Sequence, residues 1–235
     1  MDKVHKAEVP WNLRDVGEAA VVLIFLAVIG YFIRFFLLDV PALTMNRPAA
    51  AFLSFFLIYG LLVLIVWLFA VKKYNGSLKN LGITRFNLWQ GIKISLFWLI
   101  VIKIFTVVYA SAGSTLGFEP PPEIAENIPR LFGTSFFGFA LALVITALIA
   151  PVAEELFFRG FLYPAFRRRL GIKWAVFLSA FIFALFHPSV WLFLPIVLIG
   201  IILAILFERL GSLGPPIILH SLNNLLSLVL LYYFR

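Results

Sequence analysis

Long apolar runs alternate with short polar or basic turns from one end of the chain to the other. The runs fall at about 16–38, 49–71, 88–112, 134–158, 172–187, 190–208 and 215–234. A helix needs roughly 20 apolar residues to cross the hydrocarbon core of a bilayer, and every run but the short fifth is about that long. The pattern predicts an all-α, polytopic membrane bundle of about seven transmembrane helices. The first run is too long for the apolar region of a signal peptide and no small-residue cleavage site follows it, so it reads as a retained anchor. The motifs described below fall after residue 133. The chain therefore divides into N-terminal helices and loops at 1–133 and a core at 134–235 within one membrane domain.

Composition agrees with this solvent. Of 235 residues 63% are hydrophobic and 13% charged, with a mean hydropathy of +1.06, beyond what a soluble core of this length can bury. Lysine and arginine set the orientation, because positive charge is retained on the cytoplasmic side. With the N-terminus cytoplasmic, the inner loops receive Lys3, Lys6, Arg14, Lys72, Lys73, Lys79, Arg85, Arg167, Arg168, Arg169, Lys173 and Arg209, and the outer ones Arg47, Arg130 and Arg235. That bias accounts for the net charge of +8 without a nucleic-acid partner. The outer loop at 113–133, with Glu119, Glu123, Glu126 and Pro120-Pro121-Pro122, predicts an extended connector or cover. Lys93 can snorkel to the interface, whereas Lys103 lies deeper. With no cysteine, disulfides, thiolate zinc sites and a cysteine nucleophile are excluded.

Against this background three motifs stand out: Glu154-Glu155-x-x-x-Arg159, Phe183-x-x-x-His187 and His220-x-x-x-Asn224. An ionisable group inside a span costs roughly 2.5–3.5 kcal/mol on insertion scales, so a cluster of them points to function. Glu155 and Arg159 share a helix face and can pair, while Glu154 points about 100° away and is the freer carboxylate. His220 and Asn224 are also one turn apart and face the same space. Thirteen residues run from Glu154 to the Arg167–Arg169 turn, and fourteen return from Lys173 to His187. A helical hairpin then sets Glu154 opposite His187, at about 20 Å per arm. His220 is nearer to its own turn, so the depths match if the hairpin protrudes into the cytoplasm and the site lies in the cytoplasmic leaflet.

A carboxylate and an imidazole in a partly dry pocket can activate water by general-base action. A second imidazole and an amide are donors suited to an oxyanion. Together they are the equipment for peptide hydrolysis without a covalent intermediate. Glu154, His187 and His220 are equally a ligand set for zinc with an open fourth position. Other intramembrane protease chemistries lack their residues. There is no His-Glu-x-x-His helix, aspartate occurs only at Asp2, Asp15 and Asp39, and Ser179 and Ser221 lack a Gly-x-Ser-x-Gly turn. Taken singly, an intramembrane Glu-Arg pair or a lone histidine or asparagine is as well explained by helix packing. Three together on separate apolar helices are not.

The ordered trio, spanning about residues 134–230, resembles the signature of the CAAX-protease and bacteriocin-processing family of intramembrane proteases. The resemblance implies that Glu154 and His187 activate the attacking water, that His220 and Asn224 hold the oxyanion, and that Glu155 and Arg159 support the site. It admits a metal-dependent and a metal-free glutamate mechanism, of which the metal-free one is favoured. Relatives in eukaryotes and archaea remove the last three residues of prenylated C-termini, and many bacterial ones are linked to bacteriocin immunity. The expected partners are membrane lipid and a membrane-associated peptide or prenylated protein. Two other classes compete with this reading. A non-catalytic immunity or scaffold protein could keep the fold, and a proton-coupled transporter would also want buried Glu and His.

Overall fold

In the computed structural model, which describes residues 9–37, 46–187 and 189–234, the described residues form helices and no strands. Lys3, Lys6, Asp39, Pro188 and Arg235 lie outside them. The helices are α1 (Leu13–Leu37), α2 (Arg47–Val66), α3 (Leu88–Thr115), α4 (Glu123–Phe132), α5 (Phe136–Leu143), α6 (Ala150–Glu155), α7 (Tyr163–Leu185), α8 (Phe193–Leu210) and α9 (Gly214–Tyr233). Wider π-helical turns continue α2 over Trp67–Lys72 and join α5 to α6 over Val144–Ile149 and α6 to α7 over Leu156–Leu162. Local chemistry fixes several starts. The side chains of Asn87 and Ser135 accept from the backbone N–H of Gln90 and Gly138. Prolines occupy the first turns of α2, α6, α7 and α9; at the free starts of α2 and α9 the missing N–H costs no intrahelical bond.

Five helical runs among the described residues are long and apolar enough to cross a membrane: Arg47–Lys72, Leu88–Thr115, Phe136–Leu185, Phe193–Leu210 and Gly214–Tyr233. The segments expected at 134–158 and 172–187 are the two arms of the stretch Phe136–Leu185. It folds back at Gly171, whose φ of 76° and ψ of 175° lie outside the helical region and suit a residue without Cβ. Phe158 packs edge-on against Phe183 and Phe186, so the arms return alongside each other. The proline-bearing loop at 113–133 is not wholly extended: α4 begins directly after Pro122. A proline just ahead of a first turn is compatible with a helix, which the run of three prolines obscured.

α3 and α9 run parallel, as Ser95 Oγ donates to the Pro215 carbonyl and, further along both helices, Lys103 Nζ donates to Ser227 Oγ at 3.0 Å. That bond gives the deep Lys103 ammonium a polar partner inside the bundle. Lys93 lies 5.6 Å from the Trp89 ring. α8 packs against the returning arm of α7, and a Cβ built on Gly200 would stand 2.9 Å from Ala180 Cα. Gly200→Val is therefore expected to destabilise the protein by about 1–3 kcal/mol, read as a fall of roughly 2–4 °C in unfolding midpoint per kcal/mol at this chain length. Burial is uneven: 44% of the apolar window of Phe193–Leu210 is inside the protein against 11% for Arg47–Lys72. The C-terminal helices are central. α2 and α3 present apolar side chains such as Leu57, Phe97 and Val107 outward, as a lipid-facing wall must.

One end of the bundle gathers the basic loops. Trp11, fully buried, donates its indole N–H to the Phe161 carbonyl, and Arg168 donates to that of Val9. Lys73 Nζ bonds Asp15 at 2.6 Å, tying the start of α1 to the end of the Arg47–Lys72 run. The Leu213 N–H donates to the Gly82 carbonyl, and Gly160 leaves room for Leu81, whose carbonyl a Cβ there would meet at 2.9 Å. The start of α9 is thus level with Gly160. Ten residues then remain to Leu170, so the hairpin extends about 15 Å beyond that level, with Arg168–Trp174 exposed.

Candidate active site

Glu154 and Glu155 end the short helix α6, with a π-helical stretch on either side. Pro151 cannot donate a backbone hydrogen bond within such a helix, and a π turn is one way a chain accommodates the resulting fault.

The centre of the site is a connected polar chain in apolar surroundings. Glu155 and Arg159 are both fully buried, with Arg159 Nη1 2.8 Å from Glu155 Oε1. Arg159 Nη2 donates to the Gly200 carbonyl at 3.0 Å, and its guanidinium lies 4.6 Å from the centre of the Phe183 ring. Glu155 Oε1 is also 3.0 Å from His220 Nδ1, so one carboxylate oxygen serves both an arginine and a histidine. Accepting from Nδ1–H holds the imidazole in place and directs Nε2 to the far side, where Glu154 Oε2 lies 3.8 Å away. Glu154 Oε1 accepts from the Tyr59 hydroxyl at 3.2 Å. Glu154 Oε2 is buried and has no hydrogen-bond partner.

Asn224 Nδ2 donates to the Thr146 carbonyl at 2.9 Å, a backbone group within the first π stretch. An amide nitrogen carries two N–H donors, so one remains beyond the bond to Thr146. Asn223 is buried beside it and donates to Asn224 Oδ1 at 3.4 Å. His187 sits at the end of the returning arm, with Nδ1 2.9 Å from its own Phe183 carbonyl. The Phe183 ring lies between the two histidines, 4.8 Å from the ring of His187 and 5.6 Å from that of His220.

The structure therefore joins Glu154, Glu155, Arg159 and His220 directly, with Asn224 one turn along α9. It does not join His187 to Glu154. The hairpin arms meet at Phe158 against Phe183 and Phe186, and no ion pair links the two among the described residues. Two partners had no sequence signal. Tyr59 is a phenol in an aromatic-rich span, and Thr146 contributes only a carbonyl. Among the described residues no three His, Asp or Glu side chains stand close enough together to hold a metal ion. His220 already engages Glu155 through Nδ1, and His187 faces its own helix with the same atom.

Residues 136–226 match the model of a protein family described as type II CAAX prenyl endopeptidase, Rce1-like. The chain is 25% identical, over an alignment of 239 residues, to CAAX prenyl protease 2 of Arabidopsis thaliana, which covers 83% of this chain and 76% of the relative. It is 31% identical over 118 residues to UPF0177 protein YbdJ of Lactococcus lactis subsp. lactis, 48% of each chain. UPF0177 protein YbdI of the same organism is 29% identical over 141 residues, 57% of this chain and 76% of the relative. No solved structure matches the chain. The family resemblance carried by the three motifs is borne out.

Proposed function

We propose that this chain, whose residues 136–226 match the model of the Rce1-like CAAX prenyl endopeptidase family, is an intramembrane endopeptidase that hydrolyses a peptide bond in a membrane-associated substrate. The observation that carries the reading is the buried chain Arg159, Glu155, His220, Glu154. It is built across two of the three motifs and ends in a carboxylate oxygen that has no hydrogen-bond partner. Glu154 takes the proton of the attacking water through that oxygen, and His187 assists from the end of the returning arm. When His220 carries both ring protons, Nδ1–H is engaged by Glu155 and Nε2–H is left to donate. That N–H and the remaining N–H of Asn224 receive the oxyanion as the carbonyl becomes tetrahedral. Glu155 and Arg159 orient His220 and offset each other's charge. No step of this reading requires a metal.

The name of the Arabidopsis relative, CAAX prenyl protease 2, suggests the substrate: a prenylated C-terminus presented at the membrane surface. In this reading the chain crosses the membrane seven times with its N-terminus in the cytoplasm. The basic end faces the cytoplasm, and the site lies in that leaflet. His220 stands six residues from Gly214, about 9 Å into the bundle from the basic end.

The test uses the full chain, purified in detergent, with a fluorogenic peptide ending in a prenylated cysteine motif, assayed with and without a strong chelator. Cleavage that survives the chelator supports the proposal in full. Cleavage abolished by the chelator and restored by zinc overturns the metal-free mechanism, and no cleavage by folded protein overturns the prenyl-peptide assignment. Asn224→Ala is expected to lower kcat by on the order of 10²–10³-fold, the usual effect of losing one oxyanion donor, with a much smaller change in KM.

A further inference from the structure

Tyr59 belongs to α2, outside residues 136–226, yet its hydroxyl reaches into the site. The ring is held from the opposite side. Phe55, one turn earlier, stacks on it with centroids 6.4 Å apart, and Phe55 in turn stacks on the fully buried Phe132 of α4 at 6.1 Å. This aromatic column fixes where the phenol oxygen can be, and that oxygen donates to Glu154 Oε1 at 3.2 Å. A tyrosine hydroxyl inside a span needs a polar partner, but an acceptor elsewhere would serve that need equally well. The acceptor here is the carboxylate on which the proposed chemistry depends.

The terminal torsion of a glutamate is broad and roughly two-fold, so packing of the methylene chain does not decide which way the carboxylate plane faces. A hydrogen bond to one oxygen does. We propose that Tyr59 is a positioning residue: its hydroxyl pins Oε1 of Glu154 so that Oε2 faces His220 Nε2 and the water to be activated. The N-terminal helices then do more than anchor the core, because α2 completes the geometry of the general base.

The inference rests on Glu154 as the water-activating group, and its test separates the two claims. Tyr59→Phe keeps the ring and its stacking and removes only the hydroxyl. In steady-state cleavage by the full-length protein, kcat is expected to fall on the order of 10- to 100-fold, as a small misplacement of a reacting group does. KM should be unchanged and the unfolding midpoint should stay within a few degrees. An unchanged kcat overturns the inference, and so does a loss of activity that merely follows a large loss of stability. A second measurement needs no activity: unfolding midpoints of wild type, Tyr59→Phe, Glu154→Leu, which removes the acceptor, and the double variant. Residues in direct contact give non-additive shifts. Additive shifts overturn the contact, and non-additive shifts support it even if no peptide is cleaved.

Discussion

Glu154→Gln is expected to abolish peptide cleavage while leaving a folded, membrane-inserted protein. Glutamine keeps the shape of the side chain and can still accept from Tyr59, but it cannot take a proton from water. Loss of a positioned general base costs about 10²–10⁴ in rate. Because Oε2 has no hydrogen-bond partner in the structure, the substitution should break no hydrogen bond and weaken only the 3.8 Å approach to His220 Nε2. Comparable expression and unfolding midpoint, with kcat lowered by at least about a hundredfold, is the expected combination. A non-catalytic scaffold would retain its biological role in the variant, which distinguishes it from an enzyme.

The largest effect on stability is expected at Arg159. Its guanidinium and the Glu155 carboxylate are both fully buried, and removing one partner leaves an uncompensated charge in a low-dielectric interior. Arg159→Met should therefore destabilise by about 3–5 kcal/mol, more than about 6 °C in unfolding midpoint for a chain of this size. It also frees the Gly200 carbonyl and the oxygen that holds His220. Adding Glu155→Gln to Arg159→Met removes the orphaned charge and should recover much of the stability, since a buried pair replaced as a whole is often near neutral. Activity should not return, because a neutral amide at position 155 is a weaker partner for His220 Nδ1. Thermal unfolding of the single and double variants, read beside cleavage, separates the two contributions.

Much of the site was legible because charge inside an apolar run is conspicuous. Glu154, Glu155, Arg159, His187, His220 and Asn224 all interrupt long stretches of Leu, Phe, Ile and Val. The hairpin was legible for a related reason, since three consecutive arginines mark a turn that must leave the hydrocarbon. Tyr59 was not. Among 27 phenylalanines and 7 tyrosines, one phenol adds almost no contrast, and its meaning comes from a partner 95 positions away. Ideal-helix geometry kept Glu155 with Arg159 and left His220 to Asn224. The structure adds the bond between Glu155 and His220, and no spacing within a single helix could disclose a contact between two helices. Spacing did not disclose the wider π-helical turns at Val144–Ile149 and Leu156–Leu162 either. They are hard to read in apolar sequence, as is α4 beyond its prolines.

The central claim is hydrolysis that depends on Glu154, and mass spectrometry of products tests it most directly. Wild type and Glu154→Gln would be reconstituted in lipid vesicles and incubated with the same prenylated peptide in ¹⁸O-enriched water. The account predicts a single cut by the wild type, with one heavy oxygen in the new carboxylate, and intact peptide with the variant. Equal turnover by Glu154→Gln, or no product from folded wild type, would contradict it.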